Sequence, residues 1–342
     1  MMAGGDTSSG VAGGPAGHVP VLLKEVMELL APAAGGLYID GTFGRGGYSR
    51  AMLAAGAGVL AIDRDPDAIT AGAPLRAEFG AGLVLVEGRF GDLDRIAEDA
   101  GFPAVDGVVL DVGLSSAQVD DPERGFSFMR DGPLDMRMER RGPSAADVVN
   151  RLGESDLRRV IAMLGEERKA GLVVRAIVAA RSEHPITRTL ELAAIVEKAI
   201  GRRPTDPIHP ATRTFQALRI FINHELEELA RALAAAERIL KAGGRLVVVA
   251  FHSLEDRIVK RFLAERSRVR SAASRHQPAA DQPPPSFLLL TRGAVVPTAE
   301  EIAANPRSRS ARLRAATRTA AAAHRFDPAA LGVPVLPVLP GA

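Results

Sequence analysis

Four short runs, LYID (37–40), GVLAID (58–63), LVLVEG (83–88) and DGVVLDVG (106–113), are apolar almost throughout and alternate with helical patterns of roughly 10 to 20 residues. Strands apolar on both faces belong to a parallel sheet covered by helices on both sides, because only such a sheet buries both of its surfaces. The chain therefore begins as a doubly wound, Rossmann-like α/β domain. The alternation stops near Asp120, and residues 121–215 carry charged, helix-periodic stretches such as ESDLRRVIAMLGEERKAGLVVRAIVAAR and LELAAIVEKAIG. Strand pattern resumes at GGRLVVVAFHS (243–253) and FLLLTRGAVV (287–296). The expected organisation is a discontinuous α/β domain, 18–120 and 216–327, with an inserted all-helical domain at 121–215. A Gly/Ala/Ser-rich tail at 1–17, a flexible basic loop at 267–285 and an irregular tail at 328–342 complete it.

Composition sets outer limits on function. The 342 residues are 46% hydrophobic and 25% charged, enough apolar material for one large core or two smaller ones. There is no cysteine, which removes disulfides, thiolate metal sites and every mechanism needing a Cys nucleophile, and fits a reducing compartment. No metal centre is expected. Apolar runs such as LVVVAF (246–251) fall far short of the roughly 20 residues of a membrane span, and residues 1–17 lack the form of a signal peptide. The expected location is cytoplasmic. The net charge of +2 hides a gradient: residues 1–120 carry 7 basic against 16 acidic side chains, whereas 257–318 carry 13 against 4. Twelve of those 13 are Arg, whose planar fork suits phosphate, so a polyanionic partner is expected.

The first strand runs into a turn, IDGTFGRGGYSR (39–50), with glycines at 44, 46 and 47. Glycines between a strand and its helix let a ligand approach the backbone and the helix N-terminus. Asp40 precedes Gly44 and Gly46 at D-x-x-x-G-x-G spacing, and Asp63 closes the second strand about 20 residues on, where a carboxylate accepts from ribose hydroxyls. An adenosine moiety fits. A dinucleotide fits less well, since Ser49 stands where the third glycine of G-x-G-x-x-G belongs and Asp40 would face a pyrophosphate. S-adenosylmethionine has no phosphate and tolerates nearby carboxylates. Phe90, after the third strand, is placed to stack on adenine or to pack in the core, and Asp111 ends the fourth strand at the rim where such sheets hold their chemistry.

Seven stretches between about 18 and 316 carry a specific resemblance: HVPVLLKEVMELL, DGTFGRGGYSRA, DRDPDA, DVGLSSAQVDDPERGFSFMRDGPLDMRM, HPATRTFQALRIFINHELEEL, VVAFHSLEDRIVK and NPRSRSARLR. In these the sequence resembles the bacterial 16S ribosomal RNA cytosine-N4 methyltransferase family, the MraW family. The resemblance implies a class I methyltransferase sheet with a helical insertion, S-adenosylmethionine as cofactor, and methylation of a cytidine N4 in the decoding centre of the small ribosomal subunit. It further implies that Gly46, Gly47 and Tyr48 line the methionine side of the cofactor, that Asp63 holds the ribose, that Phe90 contacts adenine, and that Asp111 and Gln118 complete the site. Many members carry His where this chain has Tyr48; a backbone contact survives that change and a side-chain contact does not.

Methyl transfer to an exocyclic nitrogen needs no covalent intermediate, only positioning and removal of a proton. The absence of cysteine agrees, because C5 methylation of cytosine uses a covalent Cys attack. Asp111 and the Ser115/Ser116 pair are candidates for accepting a hydrogen bond from the amine, and His252 for orienting the base or shuttling a proton. Arg268 and Arg270 in RSRVR (266–270), Arg307 and Arg309 in PRSRSARLR (306–314), and Arg213 and Arg219 are expected on RNA phosphates, with Phe126 and Phe128 flanking a splayed cytosine. The expected partner is 16S rRNA or the small subunit, with no membrane and no DNA, and homodimer formation is left open. The competing readings are a methyltransferase with another substrate, a non-catalytic RNA-binding assembly factor, and an NAD-dependent dehydrogenase.

Overall fold

The computed structural model describes residues 20–203, 205–206, 208–268 and 283–339. The expected N-terminal tail, most of the basic loop and Arg270 lie outside the described residues. Seven strands form one sheet among them: β1 (Leu37–Asp40), β2 (Gly58–Asp63), β3 (Leu83–Glu87), β4 (Val105–Asp111), β5 (Leu240–Ala250), β6 (Phe287–Leu289) and β7 (Arg312–Arg318), in the order β3-β2-β1-β4-β5-β7-β6. The first five are parallel, and β7 runs antiparallel between β5 and β6. The chain leaves β1 in one direction, through β2 and β3, and returns to the other side at β4. At that reversal the carboxyl ends of β1 and β4 diverge and open a crevice, the place where sheets of this kind bind ligands.

The helices preceding the reversal are α1 (Leu23–Leu30), α2 (Gly47–Ala54), α3 (Pro66–Ala71), α4 (Ala73–Phe79) and α5 (Leu93–Asp99). After β4 come α6 (Ser116–Asp120), α7 (Ala145–Arg151), α8 (Glu154–Leu164), α9 (Ala170–Glu183), α10 (Thr189–Ile200), α11 (Thr212–Asn223) and α12 (Glu225–Ile239), then α13 (Ser253–Arg266), α14 (Ala299–Ala304) and α15 (Pro328–Leu331). One apolar cluster lies against one face of the sheet, from Ile39, Leu60 and Leu110 through Leu229 and Leu233 of α12, and continues into Val148, Ile161 and Ile177 of α7 to α9. A second covers the opposite face with Val26, Leu30, Met52, Val59 and Val247. Between 121 and 215 the described chain contains no strand, only the isolated bridge Pro133–Arg188. Helix α11 crosses the 215/216 position without interruption.

Two elements differ from expectation. The last third of the arginine-rich stretch 306–314 enters β7, where Leu313, Ala315 and Ala316 are buried against the sheet. Its apolar residues are small or interleaved with Arg, so the charge masks a strand pattern. The tail after 328 is not irregular throughout: Asp327 caps α15 by accepting from the amides of Ala329 and Ala330, and Leu331 and Leu339 are buried.

Candidate active site

Below the crevice lies a cleft of about 1320 Å³, open mouth included, lined by the glycine turn, the ends of β2 and β4, and residues from both ends of the chain. The turn is built from inside. Asp40, fully buried, accepts from the Ser49 hydroxyl at 2.7 Å and the Thr42 amide at 3.2 Å, so the end of β1 is locked to the first turn of α2. Ser49, at the place of a third glycine, is thus a structural partner of Asp40, and Asp40 points away from the cleft rather than into it. Gly44 and Gly46 have φ of +52° and +73°, a left-handed conformation that costs glycine nothing. Gly46 does not line the cleft; a Cβ there would meet Phe43 at 2.6 Å.

The side chain of Tyr48 is buried and its hydroxyl donates to the carbonyl of Val21. Its polar group is therefore committed to the chain, although the residue still lines the cleft. Gly47 sits so close to Pro20 that a Cβ would lie 2.1 Å from its ring. Leu22 donates its amide to Glu301 Oε1 at 2.7 Å, so the segment before α1, whose Pro20 and Val21 line the cleft, is tied at Val21 and at Leu22. No sequence pattern announced this strap, because its ties are 27 and 279 residues away.

The inner wall is acidic. Asp63 accepts from the amides of Gly44 (2.7 Å) and Asp65 (2.8 Å), one on each oxygen, and burial raises its pKa to about 6. Each oxygen keeps acceptor capacity for a ligand hydroxyl. Asp65, which the sequence reading passed over, accepts from Gln118 Nε2 and Arg124 Nη1, both at 2.8 Å. Gln118 Oε1 accepts from the Ser115 amide at 3.0 Å, and Ser115 Oγ accepts from the Gln118 amide, a capping box that starts α6. Both ends of the Gln118 side chain are consequently held within the protein. Phe90 lies past the end of β3, in a short turn, and presents a mostly buried ring to the cleft.

Asp111 differs from its neighbours. Its amide donates to Thr42 Oγ1 at 2.7 Å, which fixes β4 to the glycine turn, but its buried Oδ1 has no hydrogen-bond partner. Burial, then the charges of Asp40 and Glu255, raise its pKa to about 8. An enclosed carboxylate oxygen without a donor is costly unless a ligand supplies one. His252 caps α13: its Nδ1 faces the Glu255 amide at 3.4 Å. Its Nε2 lies 3.0 Å from Glu255 Oε1, but the two are not aligned for a hydrogen bond and both are left without one. Both ring nitrogens thus face Glu255, and His252 does not line the cleft, so the expected proton-shuttle role lacks the geometry it requires. Glu225, His252 and Glu255 bring ligand atoms within 4.8 Å of one another. Arg219 already holds both oxygens of Glu225, at 2.8 and 2.7 Å, so the group reads as a buried charge cluster rather than a metal centre.

Residues 15–319 match the model of the MraW methylase family. The chain belongs to the MraW methylase family. It is 58% identical over 325 residues to the ribosomal RNA small subunit methyltransferase H of Parvibaculum lavamentivorans, covering 95% of this chain and 96% of that one. The proteins of that name from Azorhizobium caulinodans (61% over 314 residues, covering 92% and 90%) and Brucella canis (57% over 336 residues, covering 98% and 96%) are similarly close. Among solved structures, an rRNA methylase from Streptococcus thermophilus is similar at a TM-score of 0.38 and 11% identity, covering 87% of this chain and 93% of that one.

Methylases of this family use S-adenosylmethionine, and the cleft fits it. The wall formed by Asp63, Asp65 and Asp111 opposes a pyrophosphate and suits ribose hydroxyls and a cationic centre, while Asp111 Oδ1 lacks a donor.

The expected RNA contacts separate into two groups. Arg219 is spent on Glu225, and Arg213 lies 3.9 Å from buried Glu167. In RSRVR, Arg266 is buried, bonded to Glu237 at 2.7 Å and stacked over Phe262, whereas Arg268 is exposed. In β7, Arg314 pairs with Asp256 at 2.8 Å and Arg318 donates to backbone carbonyls. Arg307 and Arg309 are exposed on the turn before β7, and Arg307 lines the cleft. Phe126 is buried and Phe128 packs on His209 and Phe215, so neither is free to flank a base.

Proposed function

We propose that this protein methylates the N4 amino group of a cytidine in the decoding centre of small-subunit ribosomal RNA, with S-adenosylmethionine bound in the cleft below β1 and β4. The observation that carries the reading is the enclosed Asp111 Oδ1, an acceptor without a donor at the strand rim of a methylase. The bound cofactor supplies an electrophilic methyl group on a sulfonium. The chain supplies position and proton management. Gly44, Gly47 and Tyr48 line the cleft where the ligand would lie, Asp63 would accept from its ribose, and Phe90 would lie against its base.

Asp111 would accept a hydrogen bond from the cytosine amine, draw its lone pair out of conjugation, and take the proton that nitrogen releases as the N–C bond forms and the methyl–sulfonium S–C bond breaks, leaving a neutral thioether. A pKa lifted toward neutrality suits that task, since a base near the working pH both accepts and later returns the proton. Ser115 and Gln118 cap α6, and Gln118 ties it to Asp65. Helices α7 to α10 belong to the helical insertion at 121–215.

Mapping modified cytidines in 16S RNA by mass spectrometry, with and without the protein, tests the reading: one N4-methylated site is expected to depend on it. Calorimetric titration with S-adenosylmethionine separates an enzyme from an assembly factor with a vestigial site, which would not bind the cofactor.

A further inference from the structure

Asp120, the last residue of α6, is exposed and paired with Arg307, Nη2 to Oδ1 at 2.5 Å and Nη1 to Oδ2 at 3.4 Å. Arg130 donates to the backbone carbonyl of the same residue. Arg45, set between the glycines of the turn, adds its field: the Arg307 hydrogen bonds, followed by the charges of Arg307, Arg130 and Arg45, hold Asp120 below the usual carboxylate range. Arg307 thus bonds the Asp120 carboxylate and Arg130 its backbone carbonyl, while Arg45, from a third segment, acts on it through its charge. Among the described residues Arg45 has no ion pair of its own, and both Arg45 and Arg307 are exposed residues lining the cleft that contains Asp111.

We propose that Arg45, Arg130 and Arg307 form a backbone-phosphate site at the mouth of the cleft, and that Asp120 fills it in the free protein as an internal stand-in for the phosphate. This rests on the reading that the substrate is RNA. A surface ion pair needs a single arginine, and an exposed pair contributes little in water, so exchanging it costs little. A phosphate offers more acceptor oxygens to the same planar forks and offsets more of the surplus positive charge. The position also answers a need of the chemistry. A base drawn into a cleft must have its backbone held beside the entrance, and these arginines stand there.

Binding of an unmodified 16S RNA transcript, measured across a salt series, tests the site. Arg45→Ala, Arg130→Ala and Arg307→Ala should each weaken binding by about 3- to 10-fold and lower the log–log salt slope by about one. Asp120→Asn should tighten binding severalfold by releasing the arginines. Arg45→Ala is the cleanest variant, since that side chain holds nothing in the fold, and thermal unfolding checks the others. If the wild type binds the transcript while Arg45→Ala and Asp120→Asn leave affinity and slope unmoved, the phosphate site is overturned alone. A wild type that ignores the transcript overturns the RNA reading and the site with it.

Discussion

The wall of the cleft and the arginine-rich stretch from 257 to 318 are both dense in one sign of charge, yet they differ in how that charge is answered. In the stretch, Arg266 meets Glu237, Arg314 meets Asp256 and Arg318 meets backbone carbonyls. At the cleft, Asp63 and Asp111 are enclosed with raised pKa values, no guanidinium bonds them, and one Asp111 oxygen has no partner. Charge density therefore misleads where partners are built in. Buried acidic groups that the fold leaves unpartnered mark where a ligand belongs.

The sharpest way to break this comparison is to remove one charge from each region. Asp111→Asn should lower turnover by about 10²- to 10⁴-fold, the range of a lost general base, while the protein remains folded. Unchanged turnover with unchanged cofactor affinity would exclude both roles given to Asp111. Arg266→Ala should instead cost roughly 3–5 kcal/mol of stability by leaving Glu237 buried and unpaired, as read by denaturant unfolding. Its RNA affinity, measured where the variant stays folded, should match the wild type.

Acidification sharpens the contrast further. Asp63 ionises with a pKa of about 6, so S-adenosylmethionine should bind roughly tenfold more weakly at pH 5 than at pH 7, measured by calorimetry. Stability of the free protein moves the other way. A carboxyl whose pKa is raised on folding contributes stability that is fully present below its unfolded pKa and is lost as pH rises through the folded one. For Asp40 and Asp63 that loss runs from about pH 4 to about 6, and for Asp111 from about pH 4 to about 8, so the free protein should soften between about pH 4 and 8. A melting temperature that climbs steadily through that window would contradict the assignment. The smallest effect belongs to the cap of α6: Ser115→Ala should cost about 1 kcal/mol and reduce turnover only modestly, because the hydroxyl acts on helix geometry.

Much of this architecture was legible in the chain. The five parallel strands and the glycine turn declare themselves because buried strands are continuous apolar runs and because left-handed positions select glycine. Asp63 and Asp111 follow from being acids at strand ends. What stayed hidden depended on distant partners. Strand β7 was masked by arginines, the Tyr48–Val21 and Leu22–Glu301 ties join remote segments, and Ser49 looked like a defect in a fingerprint until Asp40 was found beneath it. His252 shows the converse error: a histidine at a strand end resembles a catalyst in sequence, but here it begins a helix.

The central claim, that the unanswered acid of the cleft directs methyl transfer to a cytidine amine, is tested most directly by incubating unmodified 16S RNA with S-adenosylmethionine carrying a labelled methyl group and digesting the product to nucleosides. The account predicts label in N4-methylcytidine with the wild type and little with Asp111→Asn. Label in C5-methylcytidine or in ribose, or equal labelling by the two proteins, would contradict it.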